Sequence, residues 1–176
     1  MAAADIPLTR AIALVGLMGA GKTTVGRRLA ARLGLPFVDS DAAIEQAEGM
    51  SIAEMFDSRG EAAFRARERQ AIAALADGSP RVIAVGGGAF ADESNRNLLL
   101  ERSTVIWLDA PFEILARRLA GGGDRPLLRG PDSEAALGAL AAERAPFYGE
   151  AHFQVSAEAP IDAIVEQIVA AVAARG

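Results

Sequence analysis

The chain has 176 residues, a net charge of −5 and no cysteine, which predicts a single domain without disulfide or thiol chemistry. The acidic balance argues against nucleic acid as a partner, because such binding depends on positive surface. No apolar run is long enough to cross a membrane, and the first ten residues lack a secretory signal, so we expect a cytoplasmic protein, and a monomer because no spare apolar surface stands out.

The first predicted elements are a strand, a glycine-rich loop and a helix. Ala11–Val15 is a continuous apolar run, typical of a parallel strand covered on both faces. Residues 16–23 follow directly and read GLMGAGKT, which has the spacing G-x-x-x-x-G-K-[ST] of a phosphate-binding loop. Apolar residues then recur at helical spacing from Val25 to Leu33, and Gly34 is placed to end that helix.

Lys22 in this loop is the sole lysine among 18 basic residues. In such a loop, backbone N–H groups at the helix start surround the phosphates, the lysine reaches the β and γ oxygens, and the hydroxyl of Thr23 ligates Mg²⁺. An ammonium is a compact point charge that suits a tight loop better than a planar guanidinium. The sequence therefore predicts a nucleotide phosphate site rather than an accidental glycine-rich turn.

The second predicted strand, Phe37–Asp39, ends at two carboxylates, Asp39 and Asp41. Ligands of open parallel sheets bind beyond the carboxyl ends of the strands. One carboxylate can therefore face Mg²⁺ and the other an acceptor hydroxyl. Either could also cap the next helix, and a capping role is compatible with a catalytic one.

The remaining strands are predicted at Arg81–Val85, Thr104–Leu108 and Phe153–Val155, with helical patterns between them. This alternation predicts a parallel sheet with helices on both faces. Residues 86–88, after the third strand, read GGG, which suggests a place where backbone closely approaches a ligand, or a flexible turn. Residues 121–131, rich in glycine and arginine, suggest a lid over the site, or a plain surface loop.

Two arginines are candidates for binding an acidic substrate. Arg65 precedes Glu68 by three residues, so on a helix the carboxylate can hold the guanidinium in place, although most such pairs are solvated surface pairs. Arg144 lies just before Pro146, where we expect the helix to break. Two guanidinium forks would suit a planar carboxylate.

Other classes of nucleotide protein fit the sequence poorly. A GTPase needs a second lysine in its Asn-Lys-x-Asp motif, and a motor ATPase usually places an aspartate after a strand where this chain has GGG. His152 is the only histidine, so a Ser-His-Asp triad or a histidine-rich metal site is not expected, and a structural role is. Carboxylates, arginines, one lysine and Mg²⁺ remain, an inventory that suits phosphoryl transfer.

Together these motifs resemble those of the shikimate kinase family, over roughly residues 10 to 165. The matching pieces include GKTT at 21–24, FVDSD at 37–41, GMSIAEMF at 49–56, FRARE at 64–68, GGG at 86–88, RPLL at 125–128 and RAPFY at 144–148. The resemblance implies transfer of the γ-phosphoryl of ATP to the 3-hydroxyl of shikimate, on the route to chorismate. It also implies an α/β P-loop fold in three layers: a five-stranded parallel sheet in the order 2-3-1-4-5, with a substrate-binding subdomain (about 40–70) and a lid (about 120–131).

The resemblance further implies a role for each matching residue. Asp41 binds the hydroxyls of shikimate and is the candidate base, or merely orients the hydroxyl. Arg65 and Arg144 bind its carboxylate, and Gly87 adds a backbone contact. The remaining assignments concern the nucleotide: Gly19, Ala20, Gly21, Lys22, Thr23 and Thr24 on the phosphates, Thr23 on Mg²⁺ with Asp39 reaching it through water, Arg118 on adenine, and Arg125 on the transferring phosphoryl.

Two alternatives remain open at this point. A related small-molecule kinase such as gluconate kinase shares the fold and the phosphate loop, and its substrate also carries a carboxylate and hydroxyls. A nucleotide-dependent binding or switch protein would have no small acceptor at all. The combination of Asp41, Arg65, Gly87 and Arg144 favours the shikimate hypothesis over both.

Overall fold

The computed structural model describes residues 8–120 and 133–176. Strands and helices alternate through them in an α/β arrangement. In chain order they are β1 (Ala11–Val15), α1 (Lys22–Leu33), β2 (Phe37–Asp39), α2 (Ser40–Glu48), α3 (Ile52–Arg59), α4 (Glu61–Leu75), β3 (Val82–Ala84), α5 (Glu93–Arg102), β4 (Ser103–Asp109), α6 (Phe112–Ala120), α7 (Ser133–Tyr148), β5 (Phe153–Ser156) and α8 (Ile161–Arg175).

The five strands form one parallel sheet in the order β2-β3-β1-β4-β5, which confirms the predicted order. All five residues of β1 are buried at its centre, as a strand covered on both faces requires. The main hydrophobic core surrounds β1, β3 and β4 and extends to the inner faces of α1 and α8. Because all strands run in one direction, their carboxyl ends meet at one edge, and the loops after β1, β2 and β3 lie together there.

Helices α2, α3 and α4 have a small core of their own, made by Ile44, Met55 and Phe64. Their ends are tied together because Glu48, at the end of α2, forms ion pairs with Arg59 of α3 and Arg67 of α4. The two guanidinium groups hold the pKa of that carboxyl below its usual range. The helices therefore pack as a unit beside β2.

Two differences from the expected elements have physical causes. Helix α5 has almost no amphipathic pattern to reveal it, and it starts where the side chain of Asp92 accepts the backbone N–H of Asn95. The expected break at Pro146 is wrong, because α7 continues through it to Tyr148. Proline removes one hydrogen bond, a loss limited to the last turn of the helix, where the buried Tyr148 anchors the chain.

His152 has the structural role expected of it. It lies just before β5, and its Nδ1 accepts the backbone N–H of Val105 at 2.9 Å, which continues the hydrogen bonding of β4 beyond the paired strand. Burial, and then the nearby charges of Arg175 and Arg10, lower the pKa of His152 to about 4. The ring is therefore neutral at physiological pH and able to accept this bond.

In the part of the chain that the structure describes, no helix combines the length and the hydropathy that crossing a bilayer demands.

Candidate active site

The loop after β1 wraps the start of α1, with Gly19 and Gly21 in left-handed conformations. Lys22, the first residue of α1, folds its side chain back over the loop. Its Nζ donates to the carbonyls of Gly16 at 2.6 Å and Leu17 at 3.0 Å. The ammonium and the backbone N–H groups of the first helical turn thus lie beside the same glycine-rich loop, an arrangement that suits a bound anion.

A second cation lies against this loop. Arg118, from α6, donates to the carbonyls of Gly19 at 3.1 Å and Ala20 at 3.3 Å. It also donates to the carbonyl of Ala157, just after β5, at 3.2 Å. Arg118 therefore links the phosphate loop to the segment that follows the last strand.

Asp39 uses its two carboxylate oxygens for different purposes. Oδ1 accepts the backbone N–H groups of Asp41 and Ala42 and caps α2, while Oδ2 accepts the hydroxyl of Thr23 at 2.9 Å. Capping of α2 through Oδ1 therefore coexists with a contact to Thr23 through Oδ2. Two hard oxygen donors beside a phosphate loop fit Mg²⁺, which takes few protein ligands and completes its octahedron with water and phosphate. Residues 8–120 and 133–176 contain no cluster of three or more acidic or histidine side chains that could hold a metal ion.

Asp41 lies at the junction between this loop and the glycines after β3. A Cβ added to Gly86 would lie 2.5 Å from Oδ1 of Asp41, so this position has room only for glycine, which has no side chain. Burial, with smaller contributions from Asp39 and Glu68, raises the pKa of Asp41 to about 6, while the charge of Lys22 opposes the rise. A carboxyl group with a pKa near neutrality is suited to exchange a proton with a substrate hydroxyl.

Arg65 is fixed by a buried carboxylate. Its Nη1 donates to Glu68 at 2.8 Å, and Glu61 lies 3.6 Å from its Nε. Only 1% of Glu68 is exposed, so the alternative of a solvated surface pair is wrong. Burial raises the pKa of Glu68, and the guanidinium of Arg65 opposes that rise.

The guanidinium groups of Arg144 and Arg65 approach each other at Gly88. A Cβ on Gly88 would lie 2.8 Å from both Nη atoms of Arg65 and 3.2 Å from Nη2 of Arg144. Nη1 of Arg144 is buried and has no hydrogen-bond partner within the described ranges. Two guanidinium forks that converge on one glycine offer paired donors, an arrangement that fits a planar anionic ligand.

The comparisons with known proteins agree with this geometry. The sequence model of the family described as shikimate kinase matches residues 18–173. A shikimate kinase from Ruegeria pomeroyi is 48% identical over 170 residues, which are 96% of this chain and 87% of the relative. The chain belongs to the shikimate kinase family. As a member, it is an ATP-dependent kinase, a transferase that acts on a hydroxyl group.

Solved structures separate the shikimate kinase family from the sugar-acid alternative. A shikimate kinase from Acinetobacter baumannii in complex with shikimate superposes with a TM-score of 0.90 at 36% identity, covering 98% of both chains. A gluconokinase from Sinorhizobium meliloti reaches a TM-score of 0.59 at 23% identity, covering 96% of this chain and 94% of its own. That second likeness shows a shared fold alone, so the gluconate kinase hypothesis is not favoured.

Most residues expected from the shikimate kinase motifs lie together. One wall is formed by the phosphate loop and the first turn of α1, with Gly19, Ala20, Gly21, Lys22, Thr23 and Thr24. A second wall, which adjoins the loop at Gly87, contains Asp41, Arg65, Gly87 and Arg144. Arg118 lies behind the loop, and Arg125, with the rest of the expected lid, falls outside the described residues.

Sequence reasoning gave no individual role in the site to Ser40, Gly86, Gly88 or Tyr148. Ser40 is fully buried, and its hydroxyl accepts the backbone N–H of Gly86 at 2.8 Å. Gly86 and Gly88 each leave room for a charged side chain. Tyr148 donates to the carbonyl of Gly87 at 2.6 Å. The only signal for them was their position in the sequence. Ser40 lies between two aspartates, Gly86 and Gly88 flank Gly87, and Tyr148 follows Arg144 by one helical turn.

Proposed function

We propose that this site transfers the γ-phosphoryl of ATP to the 3-hydroxyl of shikimate, giving shikimate 3-phosphate and ADP for the synthesis of chorismate. The observation that carries the proposal is the convergence of Arg65 and Arg144 on Gly88, beside Asp41 and the phosphate loop. A small polyol carboxylate needs both a cationic fork for its acid and a carboxylate for its hydroxyls. Both are present within one cleft.

The acceptor would lie with its carboxylate between Arg65 and Arg144 and with hydroxyls toward Asp41. The backbone of Gly87 adds a contact at the floor of the cleft. Glu68 keeps Arg65 from turning away, since the buried pair at 2.8 Å fixes the guanidinium plane. A pre-positioned fork loses little conformational freedom on binding, which raises affinity.

Asp41 is the group that handles the acceptor proton. With its pKa raised to about 6, it is ionised at physiological pH yet basic enough to take up a proton as the hydroxyl attacks. Phosphoryl transfer through a loose transition state depends more on orientation and charge neutralisation than on a strong base. Orientation of the hydroxyl is therefore the larger part of the role of Asp41.

The nucleotide phosphates would bind across Gly19 to Thr24, with Lys22 on the β and γ oxygens. Thr23 and Asp39 would hold Mg²⁺, which neutralises charge on the phosphates when bound. Arg118 is proposed to stack on adenine, and Arg125 to reach the moving phosphoryl from the lid. As negative charge spreads over the γ-phosphoryl, the fixed cations stabilise it without reorganising.

Helices α2 to α4 (about 40–70) are proposed as the substrate-binding subdomain and residues 120–131 as the lid. The separate core of these helices supports the first assignment. We also propose a cytoplasmic monomer. The absence of cysteine fits a reducing compartment, and Ile161 is the sole large apolar side chain that is exposed in the described ranges.

A coupled assay of ADP release tests the proposal. We expect acceptor-dependent turnover with shikimate and none with gluconate, and much weaker turnover with the methyl ester of shikimate, because the ester lacks the charge that Arg65 and Arg144 bind. Turnover with gluconate but not shikimate would contradict the proposal. ATP hydrolysis that ignores every polyol acid, together with a stable protein partner, would favour the switch-protein alternative.

A further inference from the structure

The single tyrosine of the chain, Tyr148, is buried against the acceptor side of the site. It is 2% exposed, and its hydroxyl donates to the carbonyl of Gly87 at 2.6 Å. Its ring packs between Phe90, at a centroid distance of 6.4 Å, and Trp107, at 5.8 Å. The ring therefore cannot swing away, and the phenol oxygen stays at a fixed point in the fold.

The segment that this hydroxyl holds has no side chains to secure it. Residues 86–88 are all glycine, the residue type with the most conformational freedom to lose. Ser40 fixes the start of the segment through the N–H of Gly86, and Tyr148 fixes its middle through the carbonyl of Gly87. The second contact comes from α7, so the position of the glycines depends on that helix.

Tyr148 also lies beside the second arginine of the cleft. Arg144 precedes it by four residues on α7, which places both side chains on one face of the helix. Burial raises the pKa of the Tyr148 phenol, while the charge of Arg144 and a hydrogen bond with its side chain oppose that rise, so the two groups are direct neighbours. A Cβ on Gly87 would lie 3.3 Å from Nη1 of Arg144, so the glycine, the arginine and the phenol meet at one point.

We propose that Tyr148 is a positioning residue for the acceptor: through the carbonyl of Gly87, it sets the spacing between the glycine floor and the guanidinium of Arg144. This inference rests on the proposed function, since it assigns the floor and the arginine to shikimate. Without the hydroxyl, the Gly87 carbonyl loses the donor that Tyr148 supplies, and it lies beside the guanidinium of Arg144. The carbonyl and guanidinium are then free to rotate toward each other, which closes the space that the carboxylate needs.

Tyr148→Phe tests the inference, because it removes the hydroxyl and keeps the ring packing. Loss of a buried hydrogen bond that costs one to two kcal/mol predicts a rise in the shikimate KM of about five- to thirtyfold. The ATP KM should stay within about twofold, since the described contacts of Tyr148 are with Gly87, Phe90, Trp107 and Arg144, and kcat should fall less than the shikimate KM rises.

Ser103→Ala is the matched control. Its hydroxyl is also fully buried and also donates to a backbone carbonyl, that of Leu99 at 2.5 Å. Ser103 lies at the amino end of β4, whereas the site lies at the carboxyl ends of the strands. If Tyr148 only stabilises the fold, the two variants should lower the melting temperature alike and leave the shikimate KM alone. We expect the melting temperature to fall in both and the shikimate KM to rise only in Tyr148→Phe.

An unchanged shikimate KM in a folded Tyr148→Phe enzyme would overturn the inference and leave the proposed function intact. A wild-type enzyme that does not phosphorylate shikimate would remove both. If the variant does not fold, the wild-type chain can be made with 3-fluorotyrosine, which labels Tyr148 alone. Its fluorine resonance should then shift on addition of shikimate and stay in place with the methyl ester at equal occupancy; equal shifts with both would contradict a link to the carboxylate site.

Discussion

The two walls of the proposed active site present different kinds of groups to negative charge. The phosphate wall is mainly backbone: one contiguous loop, left-handed glycines, the N–H groups of α1 and a lysine held by two carbonyls. The acceptor wall is mainly side chains, most of them half-buried, contributed by α2, α4, the segment after β3 and α7. There, burial raises the pKa of Asp41 and of Glu68, Glu68 fixes Arg65 within α4, and Arg144 of α7 meets Arg65 at Gly88.

This difference predicts different responses to substitution. A backbone site tolerates little change in the shape of the one side chain it holds, but it does not depend on distant residues. In a site of mutually supporting charges, removal of one partner should change the affinity for the acceptor. Burial of its carboxylates should also lower the free energy of unfolding at a pH where they are ionised. The following substitutions test that contrast, beginning with the largest expected effect.

Lys22→Arg preserves charge and changes shape. The ammonium lies 2.6 Å and 3.0 Å from the carbonyls of Gly16 and Leu17, and a planar guanidinium cannot occupy the same space. We expect kcat to fall by about 10²- to 10³-fold, the cost of losing one preorganised donor to the transition state, with the shikimate dissociation constant nearly unchanged. Arg32→Lys, the reverse exchange near the end of the same helix, should be neutral; an active Lys22→Arg enzyme would show that charge alone suffices.

Arg65→Ala removes one fork of the acceptor wall and leaves Glu68 buried without its partner. Hydrogen bonds to charged groups are worth about 1.5–3 kcal/mol, so the shikimate KM should rise roughly ten- to hundredfold while the ATP KM is unchanged. Arg69→Ala, on the same helix, is the control, since its guanidinium pairs with Asp92 at the surface. If both variants keep wild-type affinity for shikimate in direct binding measurements, Arg65 does not bind the acid.

Asp41→Asn should stabilise the fold while it removes turnover. The pKa of Asp41 is raised in the folded state, so ionisation costs stability as the pH rises from about 4 to 6, and the full cost persists above that range. Urea denaturation should find the variant about 1–3 kcal/mol more stable at pH 7.5 and no more stable at pH 4. The control Asp162→Asn, at an exposed residue, should instead lower the free energy of unfolding by up to about 1 kcal/mol. Equal stability of the wild type and Asp41→Asn at pH 7.5 would mean that the buried charge of Asp41 does not destabilise the fold.

The phosphate wall could be predicted from sequence because its geometry is local. The spacing of Gly16, Gly21 and Lys22 already specifies a loop and a helix start, and the apolar run before them specifies the strand. The five strands were located to within about a residue for the same reason. Helix α5, with its weak periodicity, and the continuation of α7 past Pro146 could not be found in this way, because tertiary packing determines both.

The acceptor wall could be predicted only in part. Arg65 and Glu68 are neighbours in sequence, yet whether they form a surface pair or a buried one depends on the core of α2, α3 and α4. The meeting of Arg65 with Arg144 joins residues 79 positions apart (144 − 65) through Gly88, which no local pattern encodes. The resemblance to a family supplied these residues, and the structure supplied the contacts of Ser40 and Tyr148 that support them.

The single lysine has a practical consequence for measuring the opening of the phosphate loop. A protease specific for lysine has one bond to cut in this chain, Lys22–Thr23, and that bond lies in the first turn of α1. Cleavage requires the turn to unfold locally, so its rate reports the population of the open state when reclosing is fast. Protection of this one bond by ATP, with two fragments read from a gel, would measure how far the nucleotide suppresses the opening of its own binding loop.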